Sequence, residues 1–133
     1  MLNGLDQVSV VIPVLNDWAA LNALLRALTP FRDLEIVVVD DFSTDGTREI
    51  LKKIQKNDQA IKIFFNEKNM GKGYSLRNGF THSTGDIIII QDADLEYEPI
   101  DIKKFINSIS LYNADLVMGS RFIGDNRSVL YFC

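Results

Sequence analysis

Four consecutive isoleucines at 87–90 are the feature that most limits how this sequence can fold. A strand with one solvated face alternates apolar and polar residues, so an unbroken apolar run predicts a strand covered on both faces, as in a parallel sheet between helices. The run leads into Asp92, Asp94 and Glu96, whose side chains point the same way if the chain stays extended. Three carboxylates on one side repel one another unless a cation or water separates them.

Short β-rich runs alternate with helical patterns along the chain. Strands are predicted at 8–12, 34–40, 61–65, 86–90 and 114–120. Asn16 or Asp17 can cap the first intervening helix, and Pro99 suits the first turn of the last one. This repeat implies right-handed crossovers, so we predict one α/β domain over residues 1–133 with a mostly parallel sheet flanked by helices. Residues 127–133 begin another apolar element, and we therefore expect C-terminal sequence to be missing.

The composition argues against several classes of function. The 133 residues are 47% hydrophobic and 24% charged, which is typical of a globular domain with a core. A net charge of -4 argues against general affinity for nucleic acid. Cys133 is the only cysteine and His82 the only histidine, so we expect no internal disulfide, zinc cluster or Ser-His-Asp site. We also expect no secretory signal and no membrane-spanning run.

Unusual residues, most of them polar, stand where the predicted strands end, which is where open parallel sheets bind ligands. They are Pro13, Asn16 and Asp17, then Asp40 and Asp41, then Asp92, Asp94 and Glu96, and finally Arg121. Carboxylate oxygens suit magnesium or manganese, so we interpret Asp92 and Asp94 as metal ligands. The alternative is a solvated acidic loop beside the helix that starts near Pro99.

The segment after the second strand combines two predicted roles. Ser43, Thr44 and Asp45 can cap the next helix. Asp40 and Asp41 stand at the strand's end instead, where a carboxylate can accept a hydrogen bond from a ribose hydroxyl or a base N–H. The segment therefore predicts both a helix start and a nucleoside contact.

Lys72 stands between Gly71 and Gly73 just before a predicted helix. Glycines let the backbone approach a ligand, and a helix N-terminus favours phosphate. The spacing matches neither the Walker A loop nor the dinucleotide fingerprint, so the pattern alone is weak. Arg121 directly follows a strand, where its guanidinium can clamp a diphosphate or pair with a nearby acid.

Five segments in this order resemble family 2 glycosyltransferases with the Rossmann-like GT-A fold. They are VSVVIPVLND, IVVVDDFSTDGT, NMGKGYSLRNGF, QDADLEYEPIDI and GSRF. The sequence is most similar to the dolichyl- and polyprenyl-phosphate sugar transferases, such as dolichol-phosphate mannose synthase. The resemblance implies an inverting, Mg²⁺- or Mn²⁺-dependent transfer of a sugar from a GDP- or UDP-sugar to a lipid phosphate. It also implies a cytoplasmic protein, peripheral at the membrane face through C-terminal sequence.

The resemblance also implies a role for individual residues. The nucleoside pocket would contain Pro13, Leu15, Asp17 and Asp41, with Gly71 and Lys72 nearby. The segment Asp92, Ala93 and Asp94 would be the DxD-type motif that touches ribose and metal, with Glu96 as a further metal ligand. Arg121 would face the diphosphate, and together with the metal held by Asp94 it would stabilise the leaving group. A lipid phosphate is already an anion, so we nominate no general base.

Two departures from the family pattern matter. Leu15, Asn16 and Asp17 stand where relatives more often carry Tyr-Asn-Glu, which removes a possible stack on the base. Family members also continue well beyond this sequence, so we expect the chain to hold the donor half without the acceptor side. The alternatives are a nucleotide-sugar-binding fragment or regulatory module without turnover, and a receiver-type signalling domain. The receiver pattern fits poorly, because it needs an aspartate after the third strand, where Asn66 stands.

Overall fold

The computed structural model describes residues 7–31, 33–93, 116–118 and 130–132. Strands and helices alternate in the order β1 (Val8–Val14), α1 (Trp18–Leu28), β2 (Leu34–Asp40), α2 (Thr47–Asn57), β3 (Ile61–Phe65), α3 (Lys72–His82), β4 (Ile87–Ile90), β5 (Leu116–Met118) and β6 (Leu130–Phe132). The first four predicted strands are confirmed, two of them with the predicted bounds. The helix predicted near Pro99 lies outside the described residues.

The six strands form one sheet in the order β3-β2-β1-β4-β6-β5. Strands β1 to β4 are mutually parallel, which confirms the mostly parallel α/β architecture. The predicted fifth strand exists at Leu116–Met118, but it does not pair with β4. Strand β6 lies between them and is antiparallel to both. Strand pairing uses backbone groups that every sequence carries, so the order of strands along the chain does not fix their order in the sheet.

Helices cover both faces of the sheet. On one face, Val10 and Ile12 of β1 pack in a large core with Leu24 of α1 and Leu51 of α2. On the other face, Val11 packs in a smaller core with Val37, Val39 and the apolar side of α3. Three of the four isoleucines of β4 divide in the same way, with Ile87 and Ile89 in the large core and Ile88 against the small one. The prediction that this strand is covered on both faces is thus confirmed.

Helix α3 approaches the sheet at Gly79, which is buried. A Cβ atom at this position would lie 2.4 Å from Cγ1 of Val11, well inside van der Waals contact. Glycine therefore sets how closely α3 can lie against β1. Each described helix has 11 residues, and no helix in the described residues is long and apolar enough to cross a membrane.

Glu35 cross-links the edge of the sheet at which the parallel strands begin. Its carboxylate accepts hydrogen bonds from the Ser9 hydroxyl, the Lys62 ammonium, and both the N–H and hydroxyl groups of Thr84. Burial alone would raise the pKa of Glu35, but these hydrogen bonds, led by the one from Lys62, lower it to about 2. The charged carboxylate therefore stabilises the edge of the sheet opposite the carboxyl ends of β1 to β4.

Candidate functional site

The candidate site lies at the carboxyl edge, by which we mean the edge of the sheet where β1 to β4 end. Neighbouring residues on a strand point to opposite faces, so the polar residues at each strand end are divided between the two helical layers. Asp40 contacts Arg48 of α2, whereas Asp41 contacts Gly71 at the start of α3. Asp92 also faces α3, because its carboxylate pairs with Lys72.

Asp40 is a structural residue. It is fully buried, and its Oδ2 accepts hydrogen bonds from the Ser43 N–H at 3.1 Å and from Arg48 Nη1 at 3.2 Å. The same Arg48 nitrogen donates to the Asn66 carbonyl at 2.9 Å, and the guanidinium lies 4.9 Å from the centre of the Phe65 ring. The expectation that Asp40 contacts a nucleoside is wrong, because its carboxylate faces α2 beneath this arginine.

Asp41 is held by three N–H groups, one from the Asn66 side chain after β3 and two from the backbone just before α3. Its Oδ1 accepts from Asn66 Nδ2 at 2.9 Å and from the Met70 N–H at 2.7 Å, and its Oδ2 accepts from the Gly71 N–H at 3.0 Å. A carboxylate oxygen can accept two hydrogen bonds, so Oδ1 is saturated and Oδ2 has one position left. Asp41 is only 5% exposed, yet it lines a cavity. One acceptor position of a fixed anion is therefore available there.

Gly71 has the backbone conformation that this arrangement requires. Its φ of 91° with ψ of 163° belongs to a region that side-chain-bearing residues avoid. The conformation points the N–H groups of Met70 and Gly71 at Asp41. Both N–H groups precede Lys72, where α3 begins, so the expectation that this helix start favours phosphate stays a prediction.

Lys72 and Asp92 form an ion pair with 2.6 Å between Nζ and Oδ1. The lysine side chain is 57% exposed and the aspartate side chain 22%, so the pair is screened by solvent and contributes little to stability. Because Lys72 is a flexible side chain, it can leave Asp92 at low cost when a cation or a phosphate arrives. Asp92 thus presents a carboxylate that fits one position in a divalent-metal site.

The described residues contain only part of the predicted metal site. Asp94, Glu96 and Arg121 lie outside them. In the part of the chain that is described, no three Asp, Glu, His or Cys side chains are grouped so that they could hold a metal ion. The metal-ligand prediction therefore stays a prediction for all three acids, and Asp92 is the one whose surroundings fit it.

Two loops at the carboxyl edge are joined by side-chain hydrogen bonds. The Asn16 N–H donates to the Ser43 hydroxyl at 2.9 Å, and the Thr44 N–H donates to Asn16 Oδ1 at 2.7 Å. Ser43 and Thr44 therefore connect the loops instead of capping α2, whose N-cap is Gly46 with φ of 103°. Asp45 accepts from both the hydroxyl and the N–H of Thr47, which lowers the pKa of Asp45.

Two adjoining cavities open between these loops and α3. The main cavity, of about 220 Å³, is lined by Pro13, Val14, Leu15, Asp41, Asn69, Gly71, Lys72, Ser75 and Asp92. The second cavity, of about 190 Å³, shares five of these residues and adds Asp17 and Ala93. Asp17 also caps α1 by accepting from the Ala20 N–H, and Leu15 is 42% exposed. Within the described segments, the eight residues to which the family resemblance assigns a role all line one cavity or the other, whereas Asp40 lines neither.

Three polar residues at this edge were not predicted. Asn69 and Ser75 line the main cavity, and Asn66 donates a hydrogen bond to Asp41 without lining the cavity itself. Asn66 directly follows β3, so the rule that ligands bind beyond strand ends could have found it. No sequence pattern marks Ser75, whose position becomes informative only once α3 is placed against the sheet.

The sequence is similar to a known family and to curated members of it. The family model for glycosyl transferase family 2 matches residues 9–132. Undecaprenyl-phosphate 4-deoxy-4-formamido-L-arabinose transferase from Pseudomonas aeruginosa is 39% identical over 108 residues, which cover 77% of this chain and 32% of that protein. The chain thus spans about a third of the length of this curated relative.

Two solved structures show the same architecture. S. aureus TarS 1-349 in complex with UDP-GlcNAc matches with a TM-score of 0.69 and 28% identity over 83% of this chain and 33% of that one. The mannosyltransferase PcManGT from Pyrobaculum calidifontis, in complex with GDP-Man and Mn²⁺, matches with a TM-score of 0.65 and 26% identity over 86% of this chain and 34% of that one. The predicted GT-A fold is confirmed by these neighbours. The chain belongs to glycosyl transferase family 2, and its relatives include a polyprenyl-phosphate sugar transferase.

Proposed function

We propose that this chain is the donor-binding half of an inverting, metal-dependent glycosyltransferase that uses a uridine diphosphate sugar and a polyprenyl phosphate. The observation that carries the proposal is the main cavity, which brings Asp41, Lys72 and Asp92 together at the carboxyl edge. A fixed anion, a mobile cation and a potential metal ligand are the groups that a nucleotide diphosphate with its metal requires. Relatives that bind UDP-GlcNAc and GDP-Man support a nucleotide-sugar donor.

The choice of uracil rests on Asp41. Only Oδ2 of this carboxylate has an acceptor position left, so the residue can accept one N–H group. Uracil presents a single N–H between two carbonyl groups, whereas guanine presents neighbouring N–H groups that pair best with both oxygens of a carboxylate. The arrangement therefore favours uracil. Leu15, at the mouth of the cavity, would supply an apolar contact for the base or ribose.

The diphosphate would contact Lys72, which lies beside the potential metal ligand Asp92. Asp92, Asp94 and Glu96 would hold Mg²⁺ or Mn²⁺, because hard divalent ions prefer carboxylate oxygens. When bound, the ion neutralises negative charge that builds up on the leaving diphosphate. Lys72 would turn from Asp92 to a phosphate oxygen, and Arg121 would add fixed positive charge beside it.

The reaction follows from the chemistry of the two substrates. A phosphate oxygen of the acceptor forms a bond to the anomeric carbon while the bond from that carbon to the diphosphate breaks, which inverts the configuration. The acceptor is already an anion, so the reaction needs no general base. The relative that acts on undecaprenyl phosphate supports a polyprenyl acceptor, and such a lipid would place the protein at the cytoplasmic membrane face.

Titration calorimetry tests the donor half of this proposal. We expect UDP to bind more tightly than GDP and to bind more tightly with Mn²⁺ than without it. Asp92→Asn should weaken Mn²⁺-dependent UDP binding by at least about tenfold, which equals ~1.4 kcal/mol. Asp33→Asn, an exposed carboxylate just before β2, is the matched control and should bind UDP as the unaltered chain does. A folded chain that binds neither nucleotide would refute the proposal, and tighter binding of GDP would refute the choice of base.

A nucleotide-sugar-binding module without turnover is the second candidate. The observation in its favour is that the roles proposed for the described residues lining the two cavities all concern the donor. Incubating the chain with a UDP-sugar and undecaprenyl phosphate separates the two candidates. Sugar-linked lipid would support the transferase, whereas UDP binding without transfer would support the binding module.

A further inference from the structure

We propose that Asn66 is a positioning residue that restricts Asp41 to a single hydrogen bond with the nucleobase and so favours uracil over guanine. This inference rests on the proposed function. Asn66 directly follows β3 and is 3% exposed. It does not line either cavity, so any effect on a bound base would act through Asp41.

The backbone of Asn66 is fixed independently of its side chain. Its N–H donates to the Asp40 carbonyl at 2.9 Å, and its carbonyl accepts from Arg48 at 2.9 Å. Both contacts survive replacement of the side chain. Substitutions at Asn66 can therefore remove its amide while the end of β3 keeps these two hydrogen bonds.

The side-chain amide is fixed by three further contacts. Its Nδ2 donates to Asp41 Oδ1 and to the Ser75 hydroxyl, both at 2.9 Å, and its Oδ1 accepts from Asn78 Nδ2 at 3.2 Å. An amide nitrogen has two hydrogens, so both donors are used. Ser75 and Asn78 stand nearly one turn apart on α3, which fixes the plane of the amide.

The contact with Asn66 determines which oxygen of Asp41 can accept a hydrogen bond from a ligand. Asn66 and the Met70 N–H together saturate Oδ1, which leaves only Oδ2 with an acceptor position. Without Asn66, Oδ1 would regain a position and the carboxylate could rotate. Asp41 could then accept two neighbouring N–H groups, as guanine offers. Asn66 would thus act on base selection, and its loss should change the ratio of affinities and not merely their size.

The test compares the dissociation constants of UDP and GDP in the full chain. In Asn66→Ala we expect UDP to bind about fivefold more weakly, as for the loss of one hydrogen bond, and GDP to bind as well as before or better. The preference for UDP should therefore fall at least fivefold. In an Asp41→Asn background, Asn66→Ala should leave the preference unchanged, because the anion through which Asn66 acts is gone.

Controls separate this role from a general loss of stability. Gln55→Ala removes another side-chain amide that donates to β3, at the Ile63 carbonyl, and should change neither constant. If Asn66→Ala does not fold, Asn66→Ser is measured in its place. In the unaltered chain, UDP should shift the NMR signals of the Asn66 side-chain amide, whether or not a variant folds. Unmoved signals, or a variant that weakens UDP and GDP equally, would overturn the role of Asn66. Failure of the unaltered chain to bind UDP would instead refute the proposed function.

Discussion

Substitution of Gly79 by alanine tests whether contact with β1 sets the position of α3. The new Cβ would lie 2.4 Å from Val11 Cγ1 and 3.4 Å from Val39 Cγ2, whereas carbon atoms normally pack at about 3.5 to 4.0 Å. Val11 is fully buried and its branched side chain has few alternative rotamers, so the helix must move. Overpacking of this kind costs about 1 to 3 kcal/mol, and the higher helix propensity of alanine offsets about 0.5 to 1 kcal/mol. We expect a net loss of about 1 to 2 kcal/mol.

Urea unfolding followed by circular dichroism measures this loss as a lower midpoint concentration of urea, with an unchanged dependence of the unfolding free energy on urea concentration. Gly73→Ala is the matched control, because it lies on the same helix and a Cβ there has nothing within 4 Å. It should be neutral or more stable by about 0.5 kcal/mol. Gly79→Ala should also weaken UDP binding, since a displaced α3 moves Gly71 and Lys72 at the cavity. Equal stability of the two alanine variants would refute the reasoning.

Two further predictions concern charged groups outside the cavity. The folded pKa of Glu35 is about 2 against an ordinary 4.5, so its stabilisation is present above pH 4.5 and is lost as the pH falls towards 2. After allowance for solvent screening we expect this to amount to about 1 to 2 kcal/mol. The free energy of unfolding, measured with urea at pH 6 and at pH 3, should differ less between the two pH values in Glu35→Gln than in the unaltered chain. An equal difference would contradict the assignment. Arg48→Met should cost about 3 kcal/mol, because it leaves the Asp40 carboxylate buried without its cation. In thermal unfolding, adding Asp40→Asn to Arg48→Met should recover part of the lost stability, whereas adding it to the exposed control Lys52→Met should recover none. If Arg48→Met lowers the stability no more than Lys52→Met does, the ion pair is not needed.

The parallel part of the sheet could be predicted from the sequence because strands buried on both faces consist of nearly continuous apolar runs. Strands at 34–40 and 61–65 have the predicted bounds, since each is an apolar run that ends at polar residues. The carboxyl edge followed from these bounds, because parallel strands all end on the same side. Strand direction therefore explains why Asp41 and Asp92 lie at one edge of the sheet, whereas the expected roles of Leu15 and Ala93 come from the family resemblance.

The features that the sequence did not predict depend on contacts between distant segments. Strand β6 pairs with both β4 and β5 through backbone hydrogen bonds. Such bonds leave no pattern in the sequence that identifies the partner strands. Ser43 was interpreted as a helix cap, but its hydroxyl accepts from Asn16, which is 27 residues away. A hydroxyl can serve either partner, and only the tertiary structure decides between them.

The clearest separation of roles is between Asp40 and Asp41, which the sequence presents as equivalent. Alternation along β2 turns Asp40 towards α2, where the guanidinium of Arg48 neutralises it, and turns Asp41 towards α3. Asp41 is instead held by three neutral N–H donors, which fix the carboxylate without cancelling its charge. An arginine in their place would compensate the anion and weaken its attraction for a ligand N–H. Neutral donors therefore leave Asp41 both rigid and negatively charged, and this is the condition that the proposed selection of uracil by Oδ2 requires.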